Sequence, residues 1–65
     1  MAKRLTDPII HALGGTTAIG KMMHAPPSTV HSWRRRIPPA RLQHLIQSAT
    51  LAGKTVPWHE LEEAA

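Results

Sequence analysis

Apolar residues in this chain come in short clusters divided by proline and glycine, and the longest cluster carries the clearest period. Leu42, Leu45, Ile46 and Ala49 fall at i, i+3, i+4 and i+7, the signature of one buried helix face. The spacing predicts a helix over residues 39–52, preceded by the breaking segment Ile37-Pro38-Pro39 and ended by Gly53. Upstream, Ile9, Ile10 and Leu13 form a shorter stripe that starts at Asp7 and Pro8 and stops at Gly14-Gly15. Asp is a good N-cap, and Pro loses no needed hydrogen bond in a first turn. A second helix is predicted to follow Thr16 or Thr17, either of which can cap it, with Ala18, Ile19, Met22 and Met23 facing inward. Gly20 lies inside that helix at a cost of about 1 kcal/mol relative to Ala, and so small a residue there suggests that another helix crosses close by.

Pro26 and Pro27 cannot donate within a helix, so they fix where a third helix begins, after a turn at His24 and Ala25. At about 100° per residue this helix, predicted to run from Pro27 to Arg35, turns Val30 and Trp33 inward. Ser28, His31, Ser32 and Arg35 then fall on the opposite face, with Thr29, Arg34 and Arg36 on the flanks. Val56-Pro57 is expected to open a short last helix holding Trp58 and Leu61. Residues 1–6 read as a loose basic arm and residues 54–65 as a short helix and an acidic tail. The pattern contains no strand signal, repeat or low-complexity segment. The expectation is one all-α domain over residues 1–65, of four to five helices.

Size and charge sharpen this picture. At 65 residues a domain buries only about 60% of its unfolded surface and is marginal alone. The chain has no Cys, so neither a disulfide nor a thiolate metal site can brace it. Dimerisation is the remaining common device, and a weak homodimer is expected, with Trp58 and Leu61 as candidate contacts because aromatics concentrate at interfaces; the alternative for Trp58 is a cap on the monomer's own core. No apolar run reads as a leader or a membrane span, and the lack of Cys fits a reducing cytoplasm, the expected site of action. Formal net charge is +4, and its distribution is uneven. Residues 1–54 hold all eight Lys and Arg and a single acid, Asp7, whereas residues 55–65 hold Glu60, Glu62 and Glu63 and no Lys or Arg. A basic body suits a polyanion, and an acidic tail is expected to point away from it.

The run Thr17-Ala-Ile-Gly-Lys-Met-Met-His-Ala-Pro-Pro-Ser-Thr-Val-His-Ser-Trp33 resembles the helix-turn-helix of Cro and repressor proteins from temperate bacteriophages and prophages. The likeness lies in a small residue in the first helix (Gly20), an apolar residue before the turn (Met23), and Val30 and Trp33 three apart in the second helix. The segment Ile37-Pro38-Pro39 also recurs in small Cro-like proteins. The resemblance covers about residues 7–53, with the motif at 17–35. It departs from the family at His24, where Gly is usual, and at Ala25, where a larger apolar residue is usual. Some Cro proteins end in a β-hairpin, but the helical period of residues 40–52 favours the all-helical form.

The resemblance implies a small lambda-repressor-like fold and a sequence-specific DNA-binding transcriptional regulator, a Cro-like phage or prophage repressor on a near-palindromic operator in the bacterial cytoplasm, associated with the nucleoid. Its second motif helix would enter the major groove. Ser28, Thr29, His31, Ser32 and Arg35 would then meet base edges, Arg35 through guanine O6 and N7. Thr16, Thr17, Lys21, Arg34, Arg36 and Arg41 would hold phosphates, which position the protein without reading sequence. The alternative for the arginine run is a solvated helix end, where cations suit the dipole. The alternative for the whole chain is an antitoxin-like or accessory module that binds another protein. RNA binding is disfavoured by the scarcity of aromatics for stacking. The five histidines lack metal-ligand spacing, and no acid is placed to orient His31 beside the serines. Neither catalysis, a cofactor, a metal nor a small-molecule ligand is expected.

Overall fold

The computed structural model describes residues 2–64. Four α-helices are present among them, α1 (Asp7–Ala12), α2 (Thr16–Met23), α3 (Pro27–Ser32) and α4 (Pro39–Leu51), followed by a 3₁₀ turn at Trp58–Glu60. The all-α expectation fails at the termini. Strand β1 (Lys3–Arg4) pairs antiparallel with β2 (Glu62–Glu63), Lys3 opposite Glu63 and Arg4 opposite Glu62. No helix among the described residues is long and apolar enough to cross a membrane.

The segment read as a loose arm is instead the central thread of the fold. Leu5 is 1% exposed and Thr6 is buried. The Leu5 amide donates to the Trp33 carbonyl at 3.0 Å, and the Ile37 amide donates to the Lys3 carbonyl at 2.8 Å. On its other side the Ala64 amide donates to the Ala2 carbonyl at 3.1 Å. The tail therefore does not project away: Glu63 pairs with Lys3 at 3.6 Å, and Glu62 pairs with Arg4. Backbone pairing and opposite charge act together, as expected for residues directly across a strand pair.

The helix starts differ in detail from expectation. Thr6, not Asp7, sits at the N-cap position of α1, and its hydroxyl donates to the Glu60 carbonyl at 3.0 Å rather than to the helix. That bond ties the start of α1 to the 3₁₀ turn. Neither Thr16 nor Thr17 caps α2; Thr16 is its first residue and Gly15 precedes it. Gly14 and Gly15 both have positive φ, 96° and 97°, a conformation closed to threonine, so the cap position falls on glycine. The end of α2 passes through His24 at φ 53° and ψ 43°, a left-handed exit made without a glycine. His is among the non-glycine residues that enter this region more often than most.

One cluster forms the core, from Leu5, Ile9, Ile10, Leu13, Ile19, Met23, Val30, Trp33, Ile37, Leu45 and Ala49. Met22, Ala25, Leu42, Val56, Trp58 and Leu61 pack against it half-buried. Gly20 owes its size to the turn more than to a crossing helix. A Cβ there would stand 3.0 Å from the Ala25 carbonyl oxygen and 3.6 Å from Val30 Cγ2. Gly20→Ala is thus expected to lose about 1–3 kcal/mol by overpacking, outweighing the helix-propensity gain of about 1 kcal/mol. Urea denaturation checks this, and a net gain in stability would mean that the turn yields freely.

Candidate nucleic-acid interface

The orientation of α3 follows from two side chains. Val30 is 1% and Trp33 3% exposed, so the helix is pinned to the core along this edge. Ser28, His31 and Ser32 are correspondingly exposed and Thr29 is half-buried. Among the described residues nothing covers this polar ridge. The helix stops at Ser32, and Trp33 to Arg35 wind on as a tighter turn, with the Arg34 amide bonded to the His31 carbonyl and the Arg35 amide to the Ser32 carbonyl. Arg35 is exposed, just past the helix end instead of on its face. The Ser32 hydroxyl donates to the Thr29 carbonyl at 2.6 Å, which leaves its oxygen free only to accept.

The three consecutive arginines are not equivalent. Arg34 turns back to Asp7, with nitrogen and carboxylate oxygen 2.7 Å apart, joining the end of α3 to the start of α1. Its charge is matched inside the chain, unlike the free phosphate contact expected of it. Arg36 borders a hollow with Thr29 and Ser32. Arg35 does neither.

That hollow is one of three that adjoin along α3. A second brings together His24, Ala25, Thr29 and Arg41, and a third Thr16, Thr17, Lys21, His24 and Ala25. Shared residues join them into one open trough beside the polar ridge, studded in turn by Lys21, Arg41 and Arg36. Arg41 belongs to the first turn of α4, which explains how a residue remote in sequence from Lys21 reaches the same groove. Thr16 and Thr17 stand at the start of α2 with hydroxyls that make no hydrogen bond within the described residues. His24, read from sequence as a turn residue and not as a contact, lines two of the three hollows. The left-handed turn that pushes it outward was the available signal.

Ion pairing concentrates the remaining positive charge here. Every acid has a cationic or imidazole partner: Asp7 with Arg34, Glu60 with His59, Glu62 with Arg4 and Glu63 with Lys3. Among the described residues Lys21, Arg35, Arg36, Arg41 and Lys54 have no carboxylate partner. All but Lys54 belong to the two-helix motif, the segment that leads into α4, or the first turn of α4, where Arg41 stands. Lys54 lies beyond the other end of α4, roughly 18 Å along the helix axis at 1.5 Å per residue. The field of the molecule is therefore focused on the motif even though its basic sequence is spread along the chain.

Trp58 and Leu61 are turned half-buried onto the core of their own chain. No group of three or more His, Asp or Glu among the described residues is placed to hold a metal ion. No protein-family model, no curated protein and no solved structure matches this chain.

Proposed function

We propose that this protein is a sequence-specific DNA-binding regulator built on a lambda-repressor-like helix-turn-helix, and that it acts as a Cro-like repressor by occupying a near-palindromic operator. The observation that carries the reading is the uncovered ridge of Ser28, His31 and Ser32, backed by buried Val30 and Trp33, running beside a trough of unpaired cations. A narrow polar helix face suits a major groove, and flanking cations at intervals suit its phosphate walls. Ser28, Thr29, His31 and Arg35 read base edges, and Ser32 adds an acceptor suited to an exocyclic amine of adenine or cytosine. Thr16, Thr17, Lys21, Arg36 and Arg41 hold phosphates. Arg34 contributes only if it leaves Asp7. A two-fold pair of chains sets two α3 helices about one DNA turn apart, roughly 34 Å.

Selection of bound sites from random duplex DNA tests this directly. A symmetric enriched sequence is the expected result; a basic protein that retains DNA without enriching any sequence would exclude operator reading and leave a protein-interaction module as the better account. The trough makes a separate prediction. Lys21→Ala is expected to lower the slope of log affinity against log salt by about 1, since one fewer counterion is released. Titrations at several salt concentrations measure it, and an unchanged slope would remove Lys21 from the phosphate contacts.

A further inference from the structure

We propose that the outer face of α4 around Ile46, Gln47, Thr50 and Leu51 is where a second copy of this chain docks about a two-fold axis. The proposal rests on the dimeric reading above and names its surface. Leu51 is 89% exposed, and it is the one large apolar side chain left in solvent among the described residues. It lines a shallow hollow with Ile46, Gln47 and Thr50. A single exposed leucine is ordinary; the surroundings of this one are not. From Leu42 to Gly53 the chain contains no Lys, Arg, Asp or Glu. The Thr50 hydroxyl donates to the Ile46 carbonyl at 2.8 Å, so covering it leaves no donor unpaired.

Charge identifies the occupant. Two copies of a chain of net charge +4 repel at long range, and a two-fold contact sets each patch against itself. A patch of one sign is then self-repelling. The motif side carries Lys21, Arg35, Arg36 and Arg41. The exposed strand β2 carries Glu62 and Glu63, so extending the sheet from copy to copy would set carboxylate against carboxylate. Trp58 and Leu61 already pack on their own core. The α4 residues Ile46, Gln47, Thr50 and Leu51 are themselves uncharged and the face matches itself: the Gln47 amide both donates and accepts, and the nearest charge, Lys54, lies beyond the helix end. In an antiparallel contact centred midway along the patch, Ile46 of each copy lies beside Leu51 of the other, and Gln47 lies beside Thr50.

Sedimentation velocity of the full chain without DNA tests the proposal from about 10 µM to about 1 mM, since so small a patch associates weakly. The wild type is expected to show a reversible monomer–dimer equilibrium. Leu51→Lys is expected to weaken it at least about tenfold, because it brings like charges together at the contact and removes apolar burial. Leu51 is exposed, so this variant keeps its helical circular dichroism. Glu63→Gln, away from the face, is expected to leave association unchanged. A wild-type chain that stays monomeric throughout overturns the proposal and leaves the face to a different protein. So does a dimer equally strong in wild type, Leu51→Lys and Gln47→Lys. DNA plays no part in the measurement, so failure here does not touch base reading, and loss of operator binding with the dimer intact would locate the fault in α3.

Discussion

Leu5→Ala is expected to take this protein to the edge of unfolding, and removal of residues 1–5 to unfold it outright. A fully buried leucine cut back to alanine costs about 2–5 kcal/mol, because transfer free energy and cavity formation add. Net stability of about 0.05–0.15 kcal/mol per residue gives a chain of this size roughly 3–10 kcal/mol in all. The loss is thus comparable with the whole margin. Leu5 is 1% exposed, and the backbone on either side of it is stitched to Trp33, Ile37 and Ala64. The truncation removes both the side chain and the stitches, and it strips Ile37 of its backbone partner. The exposed pairs Lys3–Glu63 and Arg4–Glu62 contribute much less, well under about 1 kcal/mol each. Glu62→Gln with Glu63→Gln is therefore expected to shift the melting temperature only slightly. Thermal and urea unfolding followed by circular dichroism measure all three proteins. If the truncated chain melts like the full one, residues 1–5 are an arm after all, and their only role is outside the folded body.

The burial of residues 2–6 is not encoded in any local pattern. All four helices were legible because proline and glycine punctuate them: Pro8, Pro27 and Pro39 lie in first turns, and Gly14 and Gly53 follow ends. Leu5, by contrast, stands alone between Arg4 and Thr6, with no periodic neighbour to mark it as buried. The strands are two residues each and their partners lie at opposite ends of the chain, so no window of sequence contains the pairing. A complementary signal was present, since Lys3-Arg4 and Glu62-Glu63 are the only doublets of each sign outside the motif. The inward edge of α3 was legible from Val30 and Trp33, and so was the ridge opposite them. Extrapolating the same helical period to Arg35 went one turn too far, because the chain tightens after Ser32. The ion pair that occupies Arg34 was not legible, because it depends on the packing of α1 against the end of the motif.

These distinct fates make the arginine run the sharpest test of base reading. Arg35→Ala is expected to cost about 1–3 kcal/mol on the selected operator, roughly 5- to 150-fold, and almost nothing on a scrambled duplex. Arg36→Ala, which removes a cation from the trough, is expected to weaken both duplexes alike and to lower the salt slope by about 1. The contrast follows from position: Arg35 is exposed and unpaired at the end of the ridge, while Arg36 borders the hollow beside it. Arg35→Lys refines the distinction. It keeps the charge but loses the planar fork that can span guanine O6 and N7, so it should bind scrambled DNA like the wild type and yet remain defective on the operator. Fluorescence anisotropy with both duplexes at one fixed salt concentration reads these differences. Equal losses on the two duplexes would move Arg35 to the backbone contacts. No loss on either would make it a solvated helix end, and sequence discrimination would then have to come from Ser28, Thr29, His31 and Ser32, a set with no bidentate guanine contact and correspondingly blunter preference.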